Sequence, residues 1–85
     1  MKDLCLTDES FVTLKSLILR ENLRQIGLWG VQNHEACEWL AITAEEFGEM
    51  AEGIVEYRFN GGDPANVVKE AIHTATLCLK IAEMF

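Results

Sequence analysis

Eighteen residues from Trp39 to Glu56, WLAITAEEFGEMAEGIVE, carry five glutamates and no lysine or arginine. On a helix, Glu45/Glu49 and Glu52/Glu56 are i,i+4 pairs, and Glu46/Glu49 and Glu49/Glu52 are i,i+3 pairs. All four repel, at a combined cost of about 1–2 kcal/mol. Two readings account for such a stripe. Either it is a solvated acidic face, or a cation compensates it, as a metal ion or as a basic patch on another subunit. Glu70 adds a further acid. It lies at the edge of an apolar helical face, where a carboxylate needs a cation or a proton. His73 follows one turn later, toward the polar side of that helix, where a surface role competes with a ligand role. Carboxylates from facing helices are hard oxygen ligands, suited to Mg²⁺ or Mn²⁺ and, through them, to phosphates. The di-iron pattern of Glu-x-x-His on two helices is met once, by Glu70 and His73, because the other helix offers Glu46-x-x-Glu49.

Three helices must position these groups. The glycines mark two loops, in GLWGVQNH and NGGDPAN, with apolar residues at helical spacing elsewhere. The spacing predicts a first helix over residues 8–25, with Thr7 as N-cap and Gly27 as terminator. Phe11, Leu14, Leu17, Ile18 and Leu23 form its apolar face. A second helix is predicted over 35–58, with Asn33 or His34 near its cap. Trp39, Leu40, Phe47, Met50, Ala51 and Ile54 form its apolar face, with Glu46 at the border. A third helix is predicted over 64–84, with Asp63 as N-cap and Pro64 at its first position. Its apolar face is Val67, Ala71, Ala75, Cys78, Ile81 and Ala82. The short loop makes the second and third helices antiparallel. Glu49 and Glu70 then lie 12 and 9 residues from Gly61, at comparable depth. The fold class is all-α: one domain, residues 1–85, an antiparallel bundle of about three helices whose fourth wall comes from a partner subunit.

EEFGE at 45–49 followed by EAIH at 70–73 resembles the MazG-like all-α nucleoside triphosphate pyrophosphohydrolases, whose signature is E-E-x-x-E, a gap, then E-x-x-D. The gap of 20 residues between Glu49 and Glu70 fits. WGVQNHEACEWLAI also resembles the Trp- and His-bearing stretch before the acidic helix of small members. The resemblance spans roughly residues 29–83. It implies cleavage of a nucleoside triphosphate between the α and β phosphates, giving a monophosphate and pyrophosphate, in a house-cleaning or pool-regulating role. It implies Glu46, Glu49 and Glu70 as metal ligands, and Glu45 as a further ligand or an acceptor orienting water. Glu45 or Glu49 would be the general base. His73 stands where the family has Asp. An imidazole still binds metal, but it is softer and favours Mn²⁺ or a transition metal over Mg²⁺. Trp29, His34 and Trp39 become candidates for contacts to the nucleotide base. Against these stand a core position for Trp39, core or pocket for Trp29, and a helix cap for His34. Arg58, Lys69 and Lys80 are the cations available to phosphates. Family subunits share sites, which fits a homodimer or homotetramer.

Composition narrows the field. The 85 residues carry a formal net charge of -7, with 49% hydrophobic and 25% charged residues. A net negative chain is a poor partner for a nucleic-acid polymer or an anionic membrane. No run approaches the roughly 20 apolar residues of a membrane span. MKDLCLTDES has no apolar core of signal-peptide length. Three cysteines without C-x-x-C read as reduced thiols. A cytoplasmic location is therefore expected. A second class of function stays open: a non-catalytic helical oligomer that binds nucleotide, metal or a basic protein partner through its acidic stripe.

Overall fold

The computed structural model describes residues 3–85. They form three helices, α1 (Asp8–Trp29), α2 (Ala36–Phe59) and α3 (Pro64–Met84), and no strand is present among the described residues. The chain is all-α.

Thr7 caps α1, its hydroxyl accepting from the Ser10 amide at 3.2 Å, with Asp8 and Glu9 against the positive end of the helix. The helix does not stop at Gly27. It continues to Trp29 and ends at Gly30, whose φ of 73° and ψ of -174° suit only glycine. The Gly30 amide donates to the Ile26 carbonyl at 2.7 Å. Neither Asn33 nor His34 caps α2. Glu35 does, in a reciprocal box: its carboxylate accepts from the Glu38 amide at 2.8 Å, and the Glu38 carboxylate accepts from the Glu35 amide at 3.2 Å. The start of α3 is as expected. Asp63 accepts from the Ala65 amide at 2.9 Å, and Pro64 opens the helix. The turn before it needs Gly62. A Cβ there would lie 3.0 Å from backbone and side-chain atoms of Glu56 and Tyr57.

The central element is α3. It packs on both α1 and α2, which do not pack on each other among the described residues. Gly53 lies against Asn66 and Glu46 against His73, so α2 and α3 run antiparallel. Glu21 meets His73 and Gln25 meets Lys80, so α1 runs in the same direction as α3. Three threonines lie on the packed faces. Thr43, Thr74 and Thr76 donate to the carbonyls of Trp39, Glu70 and Ile72, which satisfies their hydroxyls within their own helices.

The buried faces differ from the predicted ones. Trp39 and Leu77 are the buried apolar side chains, and Glu21, Gln25, Glu70, Thr74 and Thr76 are buried with them. On α2, the residues turned toward α3 are Trp39, Ile42, Glu46, Met50 and Gly53, while Leu40, Phe47 and Ile54 are 63%, 57% and 46% exposed. Phe11 and Leu23 of α1 and Cys78 and Ala82 of α3 are exposed as well. The single apolar face expected for α2 merges two stripes, of which only the one with Trp39 and Met50 turns toward α3. The outer one, Cys37, Leu40, Ala44, Phe47, Ala51 and Ile54, follows an alternating three- and four-residue spacing.

Candidate metal centre and adjoining cleft

Helical spacing brings the site together from three directions. Glu46 is on the inner face of α2, seven residues from both Trp39 and Gly53, which are buried against α3. Glu70 and His73, one turn apart on α3, face back toward it. One ligand atom from each of Glu46, Glu70 and His73 lies within 4.8 Å of the other two. His73 Nδ1 is 3.7 Å from Oε2 of Glu46 and 3.7 Å from Oε2 of Glu70. Both of those oxygens are buried and neither has a hydrogen-bond partner. Buried carboxylate oxygens are rarely left so. Two carboxylates and an imidazole, converging with open acceptor positions, are a donor set that fits a divalent cation.

The electrostatics agree with that fit. Burial raises the pKa of Glu46. The charge of Glu49 raises it further, as does a hydrogen bond that the two carboxyls can share only when one is protonated. His73 opposes these effects more weakly, and Glu70 reinforces them. Without a cation, the cluster therefore holds a proton at Glu46 more tightly than an ordinary glutamate does.

The third contribution comes from α1. Glu21 is 7% exposed and accepts two hydrogen bonds from Arg24, Nε to Oε1 at 2.7 Å and Nη2 to Oε2 at 2.9 Å. Gln25 Nε2 donates to Oε2 at 2.7 Å, and His73 Nε2 lies 3.2 Å from Oε1. Burial alone would raise the pKa of Glu21. The hydrogen bonds from Arg24 and Gln25, with the nearby His73 imidazole and Arg24 guanidinium, outweigh it and hold the carboxyl below its ordinary value. Sequence reasoning missed this acid. The signal for it was present: Leu14, Leu17, Ile18, Glu21 and Gln25 continue one helical stripe, so the last two had to face inward.

A cleft of about 520 Å³ opens beside the cluster, between α1 and α2, with α3 as its floor. That is within the range of small-molecule sites. Trp29, His34 and Trp39 line it, as do Glu46, His73, Arg24 and Lys80. Trp29 is 58% exposed, with the Arg24 guanidinium 5.9 Å from its ring centroid. Trp39 is buried and meets the His34 ring edge-on at 4.8 Å. A smaller groove on the other side of the cluster is lined by Glu49, Glu52, Glu56, Asn66 and Glu70.

Compared with protein-family models, curated proteins and solved structures, the chain gives no match.

The motif residues thus divide. Glu46, Glu70 and His73 converge. Glu49 adjoins them, beside Glu46 and on the groove wall with Glu70. Glu45 is exposed and lines neither cavity. Trp29, His34 and Trp39 share the cleft with Lys80. Lys69 is exposed and lines neither cavity, and Arg58 lies over Phe59, 5.1 Å from its ring centroid. Arg24, which the sequence did not single out, is the second cation on the cleft.

Proposed function

We propose that the protein is a divalent-metal-dependent nucleoside triphosphate pyrophosphohydrolase of the MazG-like kind, converting a (d)NTP to a (d)NMP and pyrophosphate. One observation carries this reading. Glu46, Glu70 and His73 converge from two helices with two buried oxygens lacking partners, at the edge of a cleft of nucleotide size. A divalent ion, Mg²⁺ or Mn²⁺, held by these three residues would supply the charge that neutralises a triphosphate and the polarisation that activates a water. Glu49 adjoins the cluster on the groove side, and its carboxylate accepts the proton of the attacking water. Glu45 lies outside both cavities, so the base is assigned to Glu49. Trp29, exposed at the cleft, offers its ring to the nucleotide base, and His34 lines the same cleft beside Trp39. Arg24 and Lys80 are the cations within reach of phosphate.

The reading includes self-association. Among the described residues, twenty large apolar side chains are exposed and only two are buried. A chain this short completes its core by pairing. The outer stripe of α2, uncharged from Cys37 to Ile54, is the surface we assign to a second copy. Two such chains form the bundle that one chain leaves open.

A panel of canonical and modified dNTPs with Mg²⁺ or Mn²⁺, followed by pyrophosphate release, tests the activity. Turnover that disappears in Glu70→Gln supports it, and no turnover on any nucleotide rejects it. The competing reading, a non-catalytic helical oligomer that binds nucleotide, metal or a basic protein, is favoured by His73 at the family's Asp position. Stoichiometric Mn²⁺ binding without turnover would select it.

A further inference from the structure

The acid on α1 lies outside the family motif, yet it faces the same imidazole as the motif acids. Glu21 is gripped by both arms of the Arg24 fork and by Gln25, an arrangement that an ionised carboxylate satisfies and a protonated one does not. An ionised carboxylate only accepts. His73 Nε2 lies 3.2 Å from Glu21 Oε1, so it is the ring nitrogen placed to carry the hydrogen that faces this carboxylate. In the neutral ring this leaves the lone pair on Nδ1. Nδ1 is the nitrogen turned toward Glu46 and Glu70. At 3.7 Å from an oxygen of each, it is beyond hydrogen-bond distance of both. The spacing leaves room for something that accepts electron pairs from all three.

We propose that Glu21 is a positioning residue of the metal centre: it fixes His73 in the Nε2–H tautomer, so that Nδ1 joins Glu46 and Glu70 as ligands to a divalent cation. This rests on the reading of the cluster as a metal site. A carboxylate behind a ligating imidazole orients the ring and raises its basicity. Here it does so from a different helix. The nitrogen donor shifts the site toward Mn²⁺ and later first-row ions and away from Mg²⁺. The chain's departure from E-x-x-D is then matched by a second residue, with Glu21 supplying behind the ring the negative charge that the missing Asp would have supplied in front of it.

Two measurements test this without turnover. In metal-free wild-type protein, the ring nitrogen shifts of His73, read by long-range ¹H–¹⁵N correlation in a His34→Gln background, report the tautomer. The Nε2–H form is expected, and an Nδ1–H form overturns the proposal with no change near the site. Metal affinity is then read from the free Mn²⁺ signal in electron paramagnetic resonance, with Mg²⁺ as competitor. Glu21→Gln is expected to weaken Mn²⁺ binding about 10–100-fold. His73→Asp is expected to move the preference toward Mg²⁺. In the His73→Asp background, Glu21→Gln is expected to change affinity less than about twofold, because there is no imidazole left to orient. An equal loss from Glu21→Gln with and without His73 would mean that Glu21 acts only through charge or folding. Wild-type protein that binds Mn²⁺ and is indifferent to Glu21→Gln defeats this inference alone. Wild-type protein that binds neither metal defeats the metal centre and this inference with it.

Discussion

Gln25 on α1 and Lys80 on α3, 55 residues apart in sequence, are joined by a hydrogen bond of 2.6 Å in which the lysine Nζ donates. The other end of the same amide donates to Glu21. One buried side chain thus links the clamp on the acid to the floor of the cleft. Gln25→Leu keeps the volume and removes both bonds, leaving polar partners without replacement. The expected loss is about 1–3 kcal/mol. It should be read as a lower urea midpoint with an unchanged slope. A change within a few tenths of a kcal/mol would mean that water replaces the amide freely.

Stability in the absence of metal should depend on pH in two opposed ways. The pKa of Glu46 is raised in the folded chain by burial and by Glu49. Its contribution is present below the ordinary glutamate value of 4.5 and is lost as pH rises through the folded value. Glu21 is lowered despite burial, so its contribution is present above 4.5 and is lost as pH falls through the folded value. With chelator present, acidification from neutrality toward 4.5 should stabilise the fold, and further acidification should destabilise it. Thermal melts across this range check the shape, and Glu46→Gln should remove the rise on the neutral side only.

The two candidate bases should separate cleanly. Glu49→Gln is expected to lower turnover about 10²–10⁴-fold while leaving nucleotide binding measurable. Glu45→Gln, at an exposed position off both cavities, should stay within severalfold of wild type. Pyrophosphate release at saturating nucleotide decides this, and the reverse order would assign the proton transfer to Glu45.

The two tryptophans should fail differently. Trp39 is 8% exposed and is one of two buried apolar side chains, so Trp39→Ala should cost about 3–5 kcal/mol. That is a large share of a small domain's stability. Trp29 is exposed at the cleft, so Trp29→Ala should leave unfolding within about 0.5 kcal/mol of wild type. It should raise KM with kcat little changed. Paired denaturation and kinetic measurements distinguish the two.

Phe47→Glu places a charge in the middle of the uncharged outer stripe of α2. Sedimentation should show a lower association state than wild type, and the melting temperature should lose any dependence on protein concentration. A wild-type chain that is monomeric at all concentrations removes the need for the variant.

The parts of the fold that were legible were those written in local chemistry. Asp63 and Pro64 announced the start of α3 because cap and first-turn preferences are set within four residues. The end of α1 was misplaced because Gly27 and Gly30 are equivalent as letters. Only Gly30 adopts a positive φ, while Gly27 sits in regular helix. The α2 cap was missed because Glu35 is not a usual cap, and it succeeds here through its exchange with Glu38. Which part of the broad apolar face of α2 turned toward α3 could not be read from the wheel, because Trp39 and Met50 adjoin Leu40, Phe47 and Ile54 on it. The convergence of Glu46 and Glu70 was legible because helical spacing and the short loop set their depth, whereas Glu45 faces away from both cavities. For Glu21 only the inward direction could be read from its stripe, because its partner His73 is 52 residues later and no register between α1 and α3 is written in the residues.

Among the described residues α1 packs on α3 and not on α2, so the two walls of the cleft meet only through α3 and the 30–35 segment. Amide hydrogen exchange should therefore be faster along α1 than along α2, with α1 opening like a door on its neighbour. Glu46 and Glu70 belong to the frame, but Glu21 and Arg24 travel with the door. An outward swing of α1 would part Glu21 from His73 and leave Glu46, Glu70 and His73 together.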